Sequence, residues 1–135
     1  MIKWDDKYLL GIDIIDDQHK ELFRIAQEAT DLLRDDFAMD KYDRVIKIIE
    51  ELKSYAIYHF KTEEEYMLDN GYRKYLSHKV IHDEFLEKVS GIDLEAMDEN
   101  QDEHLLSIIN FVVDWISTHI LGTDKLIAET LKGAN

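Results

Sequence analysis

Two pairs of polar residues, each four positions apart, constrain most strongly how this chain can fold. His59 and Glu63 form one pair, His78 and His82 form the other, and Asn70-Gly71 lies between them. Residues four apart on an α-helix lie about 40° apart around the axis and about 6 Å apart along it. Each pair can therefore hold one object if its segment is helical. Consecutive antiparallel helices would bring the two pairs face to face across a bundle core.

The composition favours helices joined by short connections. The 135 residues include no proline and only five glycines, and 45% of them are hydrophobic. A chain of this length can bury about two-thirds of its unfolded surface in one core. We therefore expect an all-α fold, an up-down-up-down four-helix bundle formed by one domain, 1–135. Its parts are an extended N-terminal arm, 1–15, the bundle, 16–121, and a short C-terminal helix with its tail, 122–135.

Apolar spacing and turn residues place the helices within these limits. Asp16 or Asp17 can cap the first helix, which ends near Asp35-Asp36. Gly122 is expected to interrupt the fourth helix, and the polar stretch 91–102 is the longest expected loop. The other helices are expected at about 40–68, 73–90, 101–121 and 124–131. In the arm, the side chains expected to lie against the bundle are those of Trp4, Tyr8, Leu9 and Ile12.

Charge and composition also exclude several classes of function. A formal net charge of −14 without a basic stripe disfavours nucleic-acid binding, which needs clustered Lys and Arg. The chain has no cysteine, which removes disulfides and thiolate ligands and fits a cytoplasmic location. The acidic start lacks a signal peptide's apolar core, and the apolar window 108–121 is too short to span a bilayer. We expect a cytoplasmic protein without a membrane partner, and the acidic surface favours a monomer.

Histidines accumulate on the faces that the apolar pattern turns inward. Any one of them could be an ordinary core imidazole, but all four main helices contribute at least one. Burying five imidazoles and a carboxylate without partners would cost several kcal/mol, and a shared metal ion would remove that cost. Imidazole and carboxylate donors suit iron, zinc, copper or manganese. The residues concerned are His19, His59, Glu63, His78, His82 and His119.

Two further polar residues need separate treatment. His104 precedes His119 by 15 positions, about 22 Å along a straight helix, so we expect it at the solvated end of the bundle. Asp124 follows His119 by five positions, about 140° around a regular helix, and the two would not share a face. A bulge at Gly122 could turn Asp124 inward. Alternatively, Asp124 could cap the last helix.

Taken in order, these motifs resemble the hemerythrin pattern. The matching pieces are Asp17-Gln18-His19, His59 to Glu63, His78 to His82, and His119 to Asp124. The resemblance covers essentially the whole chain, including the tryptophan-bearing arm, and is closest to the single-domain prokaryotic form of the family. It assigns Asp124 a ligand role instead of a cap.

The resemblance implies two non-haem iron ions. His78, His82 and His119 would bind one iron, and His19 and His59 would bind the other. Glu63 and Asp124 would bridge both, together with a solvent-derived oxo or hydroxo group. The second iron would then keep one open position for dioxygen. The positions that resemble the family's oxygen-pocket lining are Phe60, Trp115, Ile116 and Ile120, although plain core packing would give the same sequence pattern.

The implied function is reversible dioxygen binding, for carriage, storage, delivery to an oxygen-using enzyme, or sensing. One alternative is an enzyme: a di-iron oxidase, a peroxidase or a nitric-oxide-handling protein. Ferritin-like di-iron enzymes use mostly carboxylates, whereas this chain offers five imidazoles and two carboxylates, which disfavours that alternative. A second alternative is an iron store or homeostasis factor.

Overall fold

The computed structural model describes residues 3–93 and 101–133, and in these ranges the chain is helical without strands. A 3₁₀ turn, Asp6–Tyr8, precedes the first helix. The long helices are α1 (Asp13–Leu33), α2 (Lys41–Asp69), α3 (Tyr75–Ser90) and α4 (Gln101–His119). A π-helical turn, Ile120–Asp124, joins α4 to α5 (Lys125–Gly133). The expected all-α four-helix bundle with a short C-terminal helix is confirmed.

Antiparallel packing follows from where the histidines meet. His19 near the start of α1 contacts His59 near the end of α2, and His78 near the start of α3 contacts His119 at the end of α4. The starts of α1 and α3 therefore lie beside the ends of α2 and α4. Helix α1 packs against α2 and α4, and α2 also packs against α3.

The start of α1 differs from the sequence expectation. The helix begins at Asp13, inside the segment assigned to an extended arm, and its N-cap residue Ile12 provides no side-chain hydrogen bond. Asp16 lies within the helix instead of capping it. Its carboxylate accepts hydrogen bonds from the backbone N–H groups of Leu10 and Gly11, at 2.8 and 3.0 Å, and so fixes the arm to the helix. Asp16 can do this because Gly11, with a φ of 86°, turns the chain back.

The arm packs on the bundle largely through its aromatic residues. Tyr8 is buried, and Trp4 and Tyr8 both contact the ring of Phe23 in α1, with centroid distances of 5.7 and 5.2 Å. The expectation for Leu9 is wrong, because this side chain is 42% exposed and Leu10 is buried in its place. Trp4, Tyr8 and Ile12 pack against the bundle core as expected, so Leu9 is the one exception among the four.

The stop between α2 and α3 occurs at the predicted place. Gly71 has a φ of 67°, and its N–H donates to the carbonyl of Leu68 at 3.2 Å. The N–H of Tyr72 donates to the carbonyl of Met67 at 2.9 Å. This pair of bonds is a Schellman motif, which ends a helix and satisfies its last carbonyls. The short connection that follows holds α3 against α2.

The last part of the chain forms one continuous helical run. Regular α-helix ends at His119, and the chain continues through Gly122 as a π turn without a break. The expected bulge at Gly122, which turns Asp124 inward, is confirmed. By length and composition alone, Gln101–Leu131 could cross a membrane, unlike the shorter window considered in the sequence. Half of its most apolar window is buried within the fold, as in the core helix of a bundle, so this is weak evidence for a membrane span. Most of the loop expected at 91–102 lies outside the described residues.

Candidate metal centre

Seven polar side chains from every main helix converge in the core. All of them are buried, and none exposes more than 6% of its surface. Helix α1 supplies one, α2 and α3 supply two each, α4 supplies one, and the π turn supplies the last. The structure thus brings together all the residues that the sequence marked as ligands: His19, His59, Glu63, His78, His82, His119 and Asp124.

The first group of donors contains three imidazoles and two carboxylates, all with ligand atoms within 4.8 Å of one another. The Nε2 atom of His119 lies 3.1 Å from Nε2 of His78 and 3.0 Å from Nε2 of His82. Oε1 of Glu63 lies 2.7 Å from His78 Nε2, and Oδ1 of Asp124 lies 3.0 Å from His119 Nε2. Five donor atoms therefore point at one small volume.

The second group contains two imidazoles and the same two carboxylates. Oε2 of Glu63 lies 3.0 Å from His59 Nε2, and Oδ2 of Asp124 lies 3.2 Å from His19 Nε2. Each carboxylate thus turns one oxygen to the three-histidine group and the other oxygen to the two-histidine group. The two groups are adjacent and share both acids.

These distances fit metal ligation. Adjacent ligands of a six-coordinate ion with bonds of about 2.1 Å lie about 3.0 Å apart, which is the spacing of the imidazole nitrogens around His119. Two imidazole lone pairs at that distance repel each other unless a proton or a cation lies between them. Each of the four oxygens of Glu63 and Asp124 lies within 3.2 Å of an imidazole nitrogen. In the described chain, however, none of these oxygens makes a well-directed hydrogen bond.

The charges of the cluster in the metal-free protein follow from the same contacts. Burial alone would lower the pKa of His19 and His119, but the adjacent negative charges of Asp124 and Glu63 outweigh it and raise both values to about 9. Burial dominates at His59 and lowers its pKa. Burial would raise the pKa of Glu63, but the surrounding imidazoles favour its ionised form and hold the pKa well below its usual range. The site is therefore built to keep carboxylates ionised, as cation binding requires.

Two side chains that were not predicted as site residues contact the outer ring nitrogens of the cluster. Gln18 Oε1 lies 2.8 Å from Nδ1 of His59, and Glu64 Oε2 lies 2.9 Å from Nδ1 of His82. Gln18 is buried and Glu64 is 17% exposed. Each residue is adjacent in sequence to a cluster member, but only the packing of separate helices brings it to its histidine.

Two aromatic side chains stack on imidazoles of the cluster. Phe60 stacks on His82 with centroids 4.0 Å apart, and Trp115 stacks on His119 at 4.5 Å. Ile116 and Ile120 are buried, whereas Trp115 is partly exposed in a surface groove beside Phe85. The four positions suggested for a pocket lining thus lie on helices that carry the cluster, and three of them are closed to solvent.

His104 lies apart from the cluster. Its Nε2 atom is 3.0 Å from the backbone carbonyl oxygen of Asp93, just after the end of α3. It belongs to neither group of donors. Its place at the start of α4 agrees with the sequence expectation.

The arrangement defines a class of protein: an antiparallel helical bundle with a buried histidine–carboxylate cluster that could hold metal. Comparison with known families agrees, because the Hemerythrin HHE cation binding domain matches residues 10–131. The chain belongs to the hemerythrin family.

Individual relatives cover most of this chain. A bacteriohemerythrin of Clostridium acetobutylicum is 44% identical over 93% of this chain and 97% of its own length. A bacteriohemerythrin of Pseudomonas paraeruginosa is 32% identical over 90% of this chain and 75% of its own length. A myohemerythrin of Theromyzon tessulatum is 29% identical over 90% of this chain and 87% of its own length.

Proposed function

We propose that this protein binds dioxygen reversibly at a pair of non-haem iron ions. The observation that carries the proposal is the division of the two carboxylates, each of which offers one oxygen to each histidine group. Such a division suits two adjacent cations better than one. Membership of the hemerythrin family and similarity to bacteriohemerythrins and a myohemerythrin support iron and dioxygen over other metals and ligands.

The unequal numbers of histidines suggest how the two ions would differ. His78, His82 and His119 would hold one ion, and His19 and His59 would hold the other, with Glu63 and Asp124 shared. The first ion would receive five protein donors and the second would receive four. If both ions also shared a solvent-derived oxo or hydroxo group, a six-coordinate first ion would be full and the two-histidine ion would keep one position for a small exogenous ligand. A reduced iron pair supplies the two electrons with which dioxygen is taken up and later returned.

The surrounding side chains favour return of the dioxygen over further reaction. Phe60, Ile116 and Ile120 are buried and carry no ionisable group, so a pocket lined by them would exclude water and offer no proton. The aromatic rings on His82 and His119 also hold those imidazoles in place. A wall of this kind suits a carrier, whereas an oxidase needs a supply of protons and electrons.

We also propose that the protein uses its iron pair for oxygen carriage, storage, delivery or sensing and not for catalysis. A weak peroxidase or oxidase side activity is compatible with the site. A single domain over 1–135, a monomeric state, a cytoplasmic location and an oxygen-using enzyme as partner stay predictions.

Oxygen uptake by the iron-loaded, reduced protein tests the proposal. We expect one dioxygen per chain to be taken up in a closed cell and returned when the oxygen pressure is lowered. Continuous oxygen consumption with an added reductant, without return, would instead favour the oxidase or peroxidase alternative. Ready exchange of iron with a chelator and no oxygen uptake would favour iron storage.

A further inference from the structure

The two histidine groups differ in what contacts their outer ring nitrogens. In the three-histidine group, Nδ1 of His82 lies 2.9 Å from a carboxylate oxygen of Glu64. In the two-histidine group, Nδ1 of His59 lies 2.8 Å from an amide oxygen of Gln18. One group is therefore supported by a formal negative charge and the other by a neutral dipole.

The hydrogen-bond network around Gln18 fixes the direction of its amide. Thr62 Oγ1 donates to the carbonyl of Tyr58 at 3.1 Å, so its oxygen can accept a hydrogen bond from Gln18 Nε2 at 3.3 Å. The amide oxygen of Gln18 then faces His59 and accepts the proton on Nδ1. The imidazole is held in the tautomer whose Nε2 lone pair points into the cluster.

Glu64 contacts Nδ1 of His82 as Gln18 contacts Nδ1 of His59, but it has a larger effect on the electron density of the ring. A carboxylate accepts the Nδ1 proton more strongly than an amide does, because the bond is charge-assisted. The stronger acceptor draws the proton from the ring and makes Nε2 a better electron donor to a metal. Lys79 Nζ, 3.9 Å from the other oxygen of Glu64, also pairs with Asp83 at 2.9 Å, so it does not compete for the oxygen on His82.

We propose that Glu64 is a positioning residue that makes the three-histidine metal site the more electron-rich and tighter of the two. This inference rests on the proposed iron pair. Glu64 thereby stabilises the oxidised form of the ion in the three-histidine site, which is the ion without a position for an exogenous ligand. Gln18, lacking charge, leaves the two-histidine ion easier to reduce.

Three single variants of the full chain test this assignment. Glu64→Gln keeps a hydrogen-bond acceptor for His82 but removes the charge, and Gln18→Glu adds a charge beside His59. Glu65→Gln removes an exposed carboxylate one position further along α2 and serves as the control. Metal content, the two midpoint potentials and the Mössbauer parameters of the two iron sites are measured for each variant.

For Glu64→Gln we expect a higher midpoint potential, a Mössbauer change confined to one iron site, and metal affinity at that site lower by about 10- to 100-fold. Gln18→Glu should lower a midpoint potential and change the other iron site, while Glu65→Gln should change neither. Unaltered potentials and spectra in Glu64→Gln, with two irons bound by the parent protein, would overturn the role of Glu64. Failure of the parent protein itself to bind two irons would instead overturn the proposed function.

Discussion

His119 and Asp124 meet in the core although five residues separate them, with Nε2 of the imidazole 3.0 Å from Oδ1 of the carboxylate. Five steps on a regular α-helix would place the two side chains about 140° apart. The π-helical turn Ile120–Asp124 removes this difference because its hydrogen bonds join residues five apart. A local change of helix type thus adds Asp124 to the cluster.

Gly122 lies within this turn, but the structure gives it no steric role there. A Cβ atom added at Gly122 would meet nothing within 4 Å, and its φ is not positive. We predict that Gly122→Ala leaves two irons per chain and raises the free energy of unfolding by about 0.5 to 1 kcal/mol, because alanine loses less conformational entropy. Urea denaturation and iron analysis measure both effects.

Gly71 provides the contrasting substitution for that experiment. Its φ of 67° suits glycine in the Schellman motif after α2. Gly71→Ala should therefore lower the free energy of unfolding by about 1 kcal/mol. Loss of iron from Gly122→Ala would show that the π turn depends on glycine.

Glu63 is the acid in closest contact with the imidazoles, at 2.7 Å from His78 and 3.0 Å from His59. Its replacement by alanine removes one oxygen from each histidine group. We predict that Glu63→Ala binds at least one iron fewer than the parent protein, as measured by iron analysis after anaerobic loading. The matched variant Glu65→Ala should keep both irons, and full iron content in Glu63→Ala would refute the bridging assignment.

His104 offers a negative test of the helix register. Its Nε2 atom contacts the backbone carbonyl oxygen of Asp93, and it belongs to neither donor group. We expect His104→Ala to keep the full iron content and to lower the free energy of unfolding by about 0.5 to 1.5 kcal/mol through the lost hydrogen bond. A fall in iron content would mean that α4 is displaced along its axis.

Proton release should accompany metal binding. In the metal-free protein, burial alone would lower the pKa of His19 and His119, but Asp124 and Glu63 raise both to about 9, so both imidazoles hold a proton at pH 7.5. A metal needs their lone pairs, so its affinity should increase as the pH rises towards 9. Calorimetry of zinc binding in buffers of different ionisation enthalpy measures the protons released.

The same pKa values predict how pH changes the stability of the metal-free protein. Because the folded-state values lie above the ordinary value of 6.5, the stabilisation is complete below pH 6.5 and is lost as the pH rises through about 9. Urea denaturation of the metal-free protein should show this fall. A stability that increases over that range would contradict the charge distribution described for the cluster.

Much of the bundle could be predicted because local signals and tertiary structure agree. The end of α2 at Asp69 follows from Asn70-Gly71, and the inner faces follow from apolar spacing. The predicted start of α1 was wrong. The sequence suggested Asp16 as a helix cap, but Asp16 lies within the helix and accepts a hydrogen bond from the backbone N–H of Leu10 in the arm. The prediction for Leu9 was wrong because the chain leaves the 3₁₀ turn with Leu9 exposed and Leu10 buried.

Side chains that depend on contacts between helices were harder to predict. Gln18 is 41 positions from His59, and Glu64 is 18 positions from His82. Gln18 belongs to the motif Asp17-Gln18-His19 and Glu64 to a run of three glutamates, but neither context assigns the residue a contact with a particular histidine. Asp124 was recognised through the family resemblance, since regular helical geometry alone left its direction open.

The most direct measurement is an anaerobic titration with ferrous iron, followed by repeated admission and removal of air, with visible absorption recorded throughout. We predict saturation at two irons per chain and an oxygen-dependent absorption band that appears in air, disappears under vacuum and returns with air. Saturation at one iron, or irreversible oxidation in the first exposure without such a band, would contradict a reversible dioxygen-binding iron pair.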